Sequence, residues 1–248
     1  MPSPDSYRAI LHTLDDWDSY LMQESRLPGP RGNLELAQIV AEEGDLERFS
    51  HFFSFDPKKA PTNTPGEFLA FCGVLGLGKL IAQGQLDLLP ILRGYASDPR
   101  WRAREAVAMA LQKWGQVDMA GLLQEMETWS MGNWLEKRAA AAALAEPALL
   151  NDPGHHQRVL EILDTITTAV SKANDRSSQE FKTLRQGLGY CWSVVVAAAP
   201  EAGKPLMEKW MGNPDPDVRW IMKENLKKKR LIRLDESWTQ TWQARLNP

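Results

Sequence analysis

Residues 73–80 read GVLGLGKL, and Gly73, Gly78 and Lys79 stand at the spacing of a phosphate-binding loop. That chemistry needs free backbone N–H groups at a strand-to-helix turn to surround the phosphates, and a Ser or Thr after the lysine to hold magnesium. Leu80 occupies that last position, no strand pattern precedes Gly73, and the surrounding GEFLAFCGVLGLGKLIAQG is apolar on nearly every side. The N–H groups of such a helix are already bonded within it, so the stretch is read as a packing device. A helical glycine costs about 1 kcal/mol relative to alanine. Close approach of a neighbouring helix to Gly73 and Gly76 is the expected compensation.

Other catalytic chemistry is equally thin. His12, His51, His155 and His156 lie in unrelated segments, with no nucleophile motif or Cys–His pair beside them. Adjacent histidines point about 100° apart on a helix, which suits His155 and His156 poorly for one metal ion. Cys72 and Cys191 stand alone among apolar residues and read as buried reduced thiols, which fits a cytoplasmic address. Asp15, Asp16 and Asp18 read as solvated carboxylates. The sequence therefore supplies no catalytic residue, no metal site and no cofactor, and it leans away from an enzyme.

Binding chemistry is better represented. Ten tryptophans are present, and Trp101, Trp134 and Trp220 each stand beside arginine or lysine. Such rings either fill gaps between packed helices or line a surface that grips a peptide or stacks on bases. Arg102, Arg104, Lys137, Arg138, Arg219 and Lys223 could form a cationic stripe beside them. For Arg102 and Arg219 the expected arrangement is instead a buried ladder, each pairing with an Asp in a neighbouring loop. Residues 219–234, RWIMKENLKKKRLIRL, carry seven Lys or Arg against one Glu. Part of that run complements a helix dipole and solubilises a terminal element. The rest, with Lys227 and Arg230, is available to an anionic partner, nucleic acid included. Trp101, Arg104, Trp134, Lys137, Arg138, Trp220, Lys223, Lys227 and Arg230 are thus the candidate binding residues.

The elements that must position them are helices. Apolar periodicity is helical throughout, with helices expected near 5–23, 33–43, 45–54, 65–83, 85–96, 99–115, 118–130 and 133–149. Further ones follow near 155–173, 177–199, 202–211, 215–231 and 235–246. Proline, glycine and capping Asp or Asn punctuate them at 27–33, 56–66, 146–154, 174–178 and 212–217. Apolar residues make up 43% and charged residues 25% of the 248, which excludes wholesale disorder, and a net charge of −3 excludes a global pull toward nucleic acid. The N-terminus has no signal pattern, and no uncharged apolar run reaches the roughly 18 residues that span a bilayer, so no membrane partner is expected.

Three segments recur: SDPRWRAREAVAMAL, GNWLEKRAAAAAL and NPDPDVRWIMKENL. Each opens on a capping Asp or Asn, places Trp101, Trp134 or Val218 near the first turn, then a basic residue, then a small or apolar face. An amphipathic helix precedes each. A two-helix unit cannot bury its own apolar faces, and stacking of neighbours buries them. The Asp-Pro…Val-Arg…Leu pattern at 215–226, with SDPRWRAREAVAMAL at 97–111, resembles the second helix of a HEAT repeat. The resemblance covers 85–149 and 201–231, extends over 155–199, and weakens before 65. It implies an all-α fold, a right-handed α-α superhelix of antiparallel helix pairs. One solenoid domain would span the chain, with an irregular cap over 1–64, repeats over 65–234 and a cap helix over 235–248. It also implies a binding scaffold for a protein or peptide. The alternative is a DNA-binding or alkylated-base repair protein, by a distant resemblance to the HEAT-like alkylpurine DNA glycosylases.

Overall fold

The computed structural model describes residues 3–246, and among these there is no β-strand. The protein is all-α. Two compact units divide between Val117 and Asp118.

In the first unit the helices are α1 (Pro4–Leu11), α2 (Asp18–Glu24), α3 (Leu34–Glu43), α4 (Leu46–Phe53), α5 (Pro65–Ala82), α6 (Leu89–Tyr95) and α7 (Trp101–Gly115). A single helix spanning 5–23 does not form. The indole N–H of Trp17 donates to the Leu11 carbonyl at 3.0 Å, and the Thr13 hydroxyl donates to the Ile10 carbonyl at 2.7 Å, so α1 closes early. Helix α5 lies at the centre, touching α2, α3, α4, α6 and α7. Among the described residues it is the one helix long and apolar enough to cross a membrane, and it is mostly buried inside its own unit.

The glycines of GVLGLGKL explain how α5 is surrounded. A Cβ on Gly73 would stand 3.0 Å from Phe52 and from Phe53, and one on Gly76 would stand 2.3 Å from the buried ring of Phe49, all on α4. One on Gly78 would stand 2.5 Å from the backbone of Ala110 on α7. Helices approach α5 where it has no side chain. Lys79, the residue that would hold phosphate, donates instead to the carbonyls of Glu42 at 2.6 Å and Gly44 at 3.0 Å, capping the end of α3.

The second unit holds α8 (Met119–Ser130), α9 (Trp134–Leu144), α10 (His156–Ser171), α11 (Gln179–Ala198), α12 (Pro200–Met211), α13 (Pro216–Leu226), α14 (Lys229–Leu234) and α15 (Glu236–Leu246). Side chains of Asp118, Asn133, Ser178 and Asp215 cap the starts of α8, α9, α11 and α13, and Asn133 forms a capping box with Glu136. Helices α9, α11 and α13 lie side by side in one row, and α8, α10 and α12 touch in a second. The expected helix over 215–231 is broken, because Lys228 adopts an extended conformation between α13 and α14. Helix α9 likewise stops at Leu144, short of the expected 149, and a short 3-10 turn follows over Pro147–Leu150.

Asn225 ties α13 to α11. Fully buried, it accepts the Ser193 N–H at 2.8 Å and donates to the carbonyls of Leu188 and Ile221, each at 2.8 Å. One amide thereby fixes the position of two helices along each other.

Three alanine substitutions separate close packing from helix propensity. Gly76→Ala and Gly78→Ala should each destabilise by about 1–3 kcal/mol, since buried neighbours must move. Gly94→Ala, with no atom within 4 Å of the added carbon, should stabilise by up to about 1 kcal/mol. Urea unfolding measures all three, and a common sign would refute the packing account.

Candidate functional site

Trp101 and Arg104 belong to the first unit, and the other seven candidates to the second. In the first unit Trp101 is 44% exposed at the start of α7, with the Arg102 guanidinium 4.4 Å over its ring. Beside it Phe68, Phe71, Leu34 and Met109 line an apolar cavity of about 350 Å³. A larger hollow of about 610 Å³ includes Lys79, whose ammonium is already committed to α3.

The arginines near Trp101 serve the fold. Arg102 is buried against Glu67, with Nη1 2.9 Å from Oε2, while its Nη2 donates to the Gly29 carbonyl at 2.6 Å. The expected Asp ladder is therefore replaced by a glutamate on α5 and a loop carbonyl. Glu67 is fully buried, and a buried carboxylate requires a partner wherever one can reach. Arg104 donates to the carbonyls of Asp98 at 2.6 Å and Pro99 at 3.0 Å, closing the turn before its own helix. Arg219 also leaves the ladder: its Nη2 donates to the Leu246 carbonyl at 3.3 Å.

On α9, Trp134 is half-buried and meets Phe181 edge-on at 5.4 Å. Lys137 is buried rather than displayed. Its ammonium bonds the Gly132 carbonyl and lies 5.5 Å from the Trp134 ring, and burial lowers its pKa. Arg138 is half-buried, its stem lying over Gly187.

The remaining four candidates converge. Between α11 and α13 lies a hollow of about 460 Å³ lined by Lys182, Arg185, Tyr190, Trp220, Glu224 and Lys228, among others. A second, of about 290 Å³, shares Trp220 and Glu224 with it and adds Lys223, Lys227 and Gln243. Trp220 packs tightly on α11 because residue 189 is glycine, whose Cβ would stand 3.2 Å from the ring. Its aromatic system also carries the Arg185 guanidinium at 3.9 Å. Tyr190 is 45% exposed, accepts a bond at its hydroxyl from Arg230, and has the Arg230 guanidinium 4.6 Å from its ring.

Charge in this region sorts into two groups. Asp215 and Asp217 hold Arg176 at 2.6 and 2.8 Å, and Asp217 also holds Arg185 Nε at 2.7 Å. Glu224 is paired with Lys227 at 2.5 Å. Among the described residues, the ammonium groups of Lys182, Lys223 and Lys228 have no carboxylate within ion-pair distance, although Lys182 feels the charge of Asp175, and Arg230 bonds a neutral hydroxyl. The surface is cationic with its acids already satisfied.

Lys182, Arg185, Gln186, Gly189 and Tyr190 were not among the sequence candidates. Their spacing of three or four places them on one helical face, a signal present in EFKTLRQGLGYCW but hidden by the apolar character of the rest of α11. Among the described residues, no three His, Cys, Asp or Glu side chains cluster as metal ligands do. Comparison with family models, with curated proteins and with solved structures finds no match to this chain.

Two measurements test how the site is held. Asn225→Ala strands the buried Ser193 N–H and should cost about 1–3 kcal/mol in urea unfolding. At Asp215, burial opposes ionisation, but the bonds from Arg176 and from the N–H groups of Val218 and Asp217 outweigh it and lower the pKa. Stability from a lowered carboxyl is complete above its unfolded pKa of about 3.9 and is lost as pH falls through the folded value. Asp215→Asn, which can still cap α13, should therefore cost up to about 1 kcal/mol at pH 7. That difference should shrink as pH falls below about 4, and a gap of constant size from pH 7 down to pH 2 would rule out the Arg176 pairing as its source.

Proposed function

We propose that this chain is a binding scaffold of the HEAT-repeat, α-solenoid type. In this reading α8/α9, α10/α11 and α12/α13 are successive helix pairs of a right-handed superhelix, and their second helices present a rigid face to a protein or peptide partner. The observation that carries it is the row α9, α11, α13, which brings Trp220 and Tyr190 together at the α11–α13 groove, with Lys223 and Lys227 in the adjoining hollow and Arg230 bonded to the Tyr190 hydroxyl. Residues fixed on helices lose little conformational entropy when a partner docks, so modest contacts suffice for specific binding.

The nucleic-acid reading is supported less well. Bases stack on open aromatic faces, whereas Trp220 lies against α11 on one side and has Arg185 over its ring, and Tyr190 has Arg230 over its ring. Asp217 and Glu224 also lie within the cationic region.

An array of random 15-residue peptides, probed with the full chain at 0.15 M salt, tests the proposal. A subset should bind with micromolar Kd, and Trp220→Ala should weaken those at least tenfold, the behaviour of a central aromatic anchor. Failure of every peptide, alongside steeply salt-dependent binding of a duplex, would overturn it in favour of nucleic acid.

A further inference from the structure

The scaffold reading leaves open what kind of segment docks, and the groove between α11 and α13 carries an answer that rests on that reading. Lys182, Lys223 and Lys228 bring three ammonium groups with no carboxylate within ion-pair distance to two adjoining hollows, and Arg230 adds a fourth cation held by the hydroxyl and ring of Tyr190. Both acids at the site are already occupied, Glu224 by Lys227 and Asp217 by Arg176 and Arg185. Uncompensated positive charge therefore lies along a groove and not at a point. From Lys182 to Tyr190 is eight residues of helix, about 12 Å at 1.5 Å per residue. That length matches about four residues of extended chain.

We infer that this groove binds an extended acidic segment of a partner protein, with clustered Asp and Glu side chains reaching Lys182 and Lys228 within it and Lys223 in the adjoining hollow. Trp220 and Tyr190 hold the covering cations in place and leave their ring edges to the segment's methylene groups. Charge complementarity selects the occupant. A neutral apolar helix would bury these ammonium groups without partners, which is costly. A single-stranded nucleic acid would have to displace Arg185 and Arg230 from the rings before its bases could stack. An acidic peptide needs neither step. Its carboxylates meet cations that have no carboxylate within ion-pair distance, and the cation-covered rings remain as they are.

Fluorescence anisotropy with the full chain tests this. The probes are a labelled decapeptide of alternating Asp and Glu around one Leu, its counterpart with every acid replaced by Asn or Gln, and a ten-nucleotide single-stranded DNA. The acidic peptide should bind at 0.05 M salt, and its Kd should rise at least fivefold by 0.3 M. Lys182→Glu/Lys228→Glu should weaken it at least tenfold, Lys182→Gln/Lys228→Gln should weaken it less, and Lys113→Glu in the first unit should leave it unchanged. Circular dichroism melting confirms that each variant is folded. Equal binding of the amide peptide, or no effect of the paired substitutions in folded protein, overturns the inference. So does tighter binding of the DNA that is lost in Tyr190→Ala. Where the acidic peptide fails but array peptides still bind through Trp220, this inference falls and the scaffold stands. Where neither class binds, both fall.

Discussion

The distance at which helices meet governs this molecule, and small residues set it. Around α5, Gly73 and Gly76 admit α4, and Gly78 admits the backbone of α7. In the second unit Gly189 admits Trp220, while the buried amide of Asn225 fixes how α13 lies along α11. A helix satisfies its own backbone groups and can gain stability from neighbours only by burying surface against them. Where the approach is this close, even one added carbon meets an atom with nowhere to go. The groove between α11 and α13 inherits its geometry from that constraint, since Lys182, Arg185 and Tyr190 stand on α11, and Trp220 and Glu224 on α13.

Cations divide into those that build the fold and those that no carboxylate meets at ion-pair distance. Arg100 is buried, bonding Asp98 and the Phe55 and Ala60 carbonyls. Arg102 bonds Glu67, Lys79 ends α3, and Lys137 bonds Gly132. Arg176 joins the loop before α11 to the cap of α13 through Asp215 and Asp217. Desolvating such groups is tolerable only because each has an acceptor. Lys182, Lys223, Lys228 and Arg230 are left without a carboxylate within ion-pair distance in and beside the groove, and a chain whose net charge is −3 nonetheless presents a locally cationic surface there. Net charge is a poor guide to local charge when several of the cations are internal fittings.

Much of this was legible in the residues themselves. Helical periodicity, caps at Asn133 and Asp215, and the packing role of Gly73 and Gly76 follow from properties that act over three or four positions, whereas Asp98 of SDPRW bonds Arg100 and does not cap α7. The GxxxxGK spacing is likewise settled locally, because Leu80 and an apolar context deny it phosphate chemistry. The early end of α1 was not legible, as it depends on the Trp17 indole folding back to Leu11.

Sequence alone determined that the chain is all-α, where most of its helices begin, and that tryptophan and basic residues keep company along them. Only the tertiary structure decided which cations are free. Arg102 finds Glu67 from 35 residues away, and Ser193 finds Asn225 from 32. Nothing in the local pattern distinguishes buried Lys137 from Lys223, or marks Lys182 and Tyr190 as neighbours of Trp220. Periodicity reports which face of a helix is apolar, a short-range property. Which helix covers that face, and whose carboxylate arrives with it, depends on shape and charge matching across the whole unit.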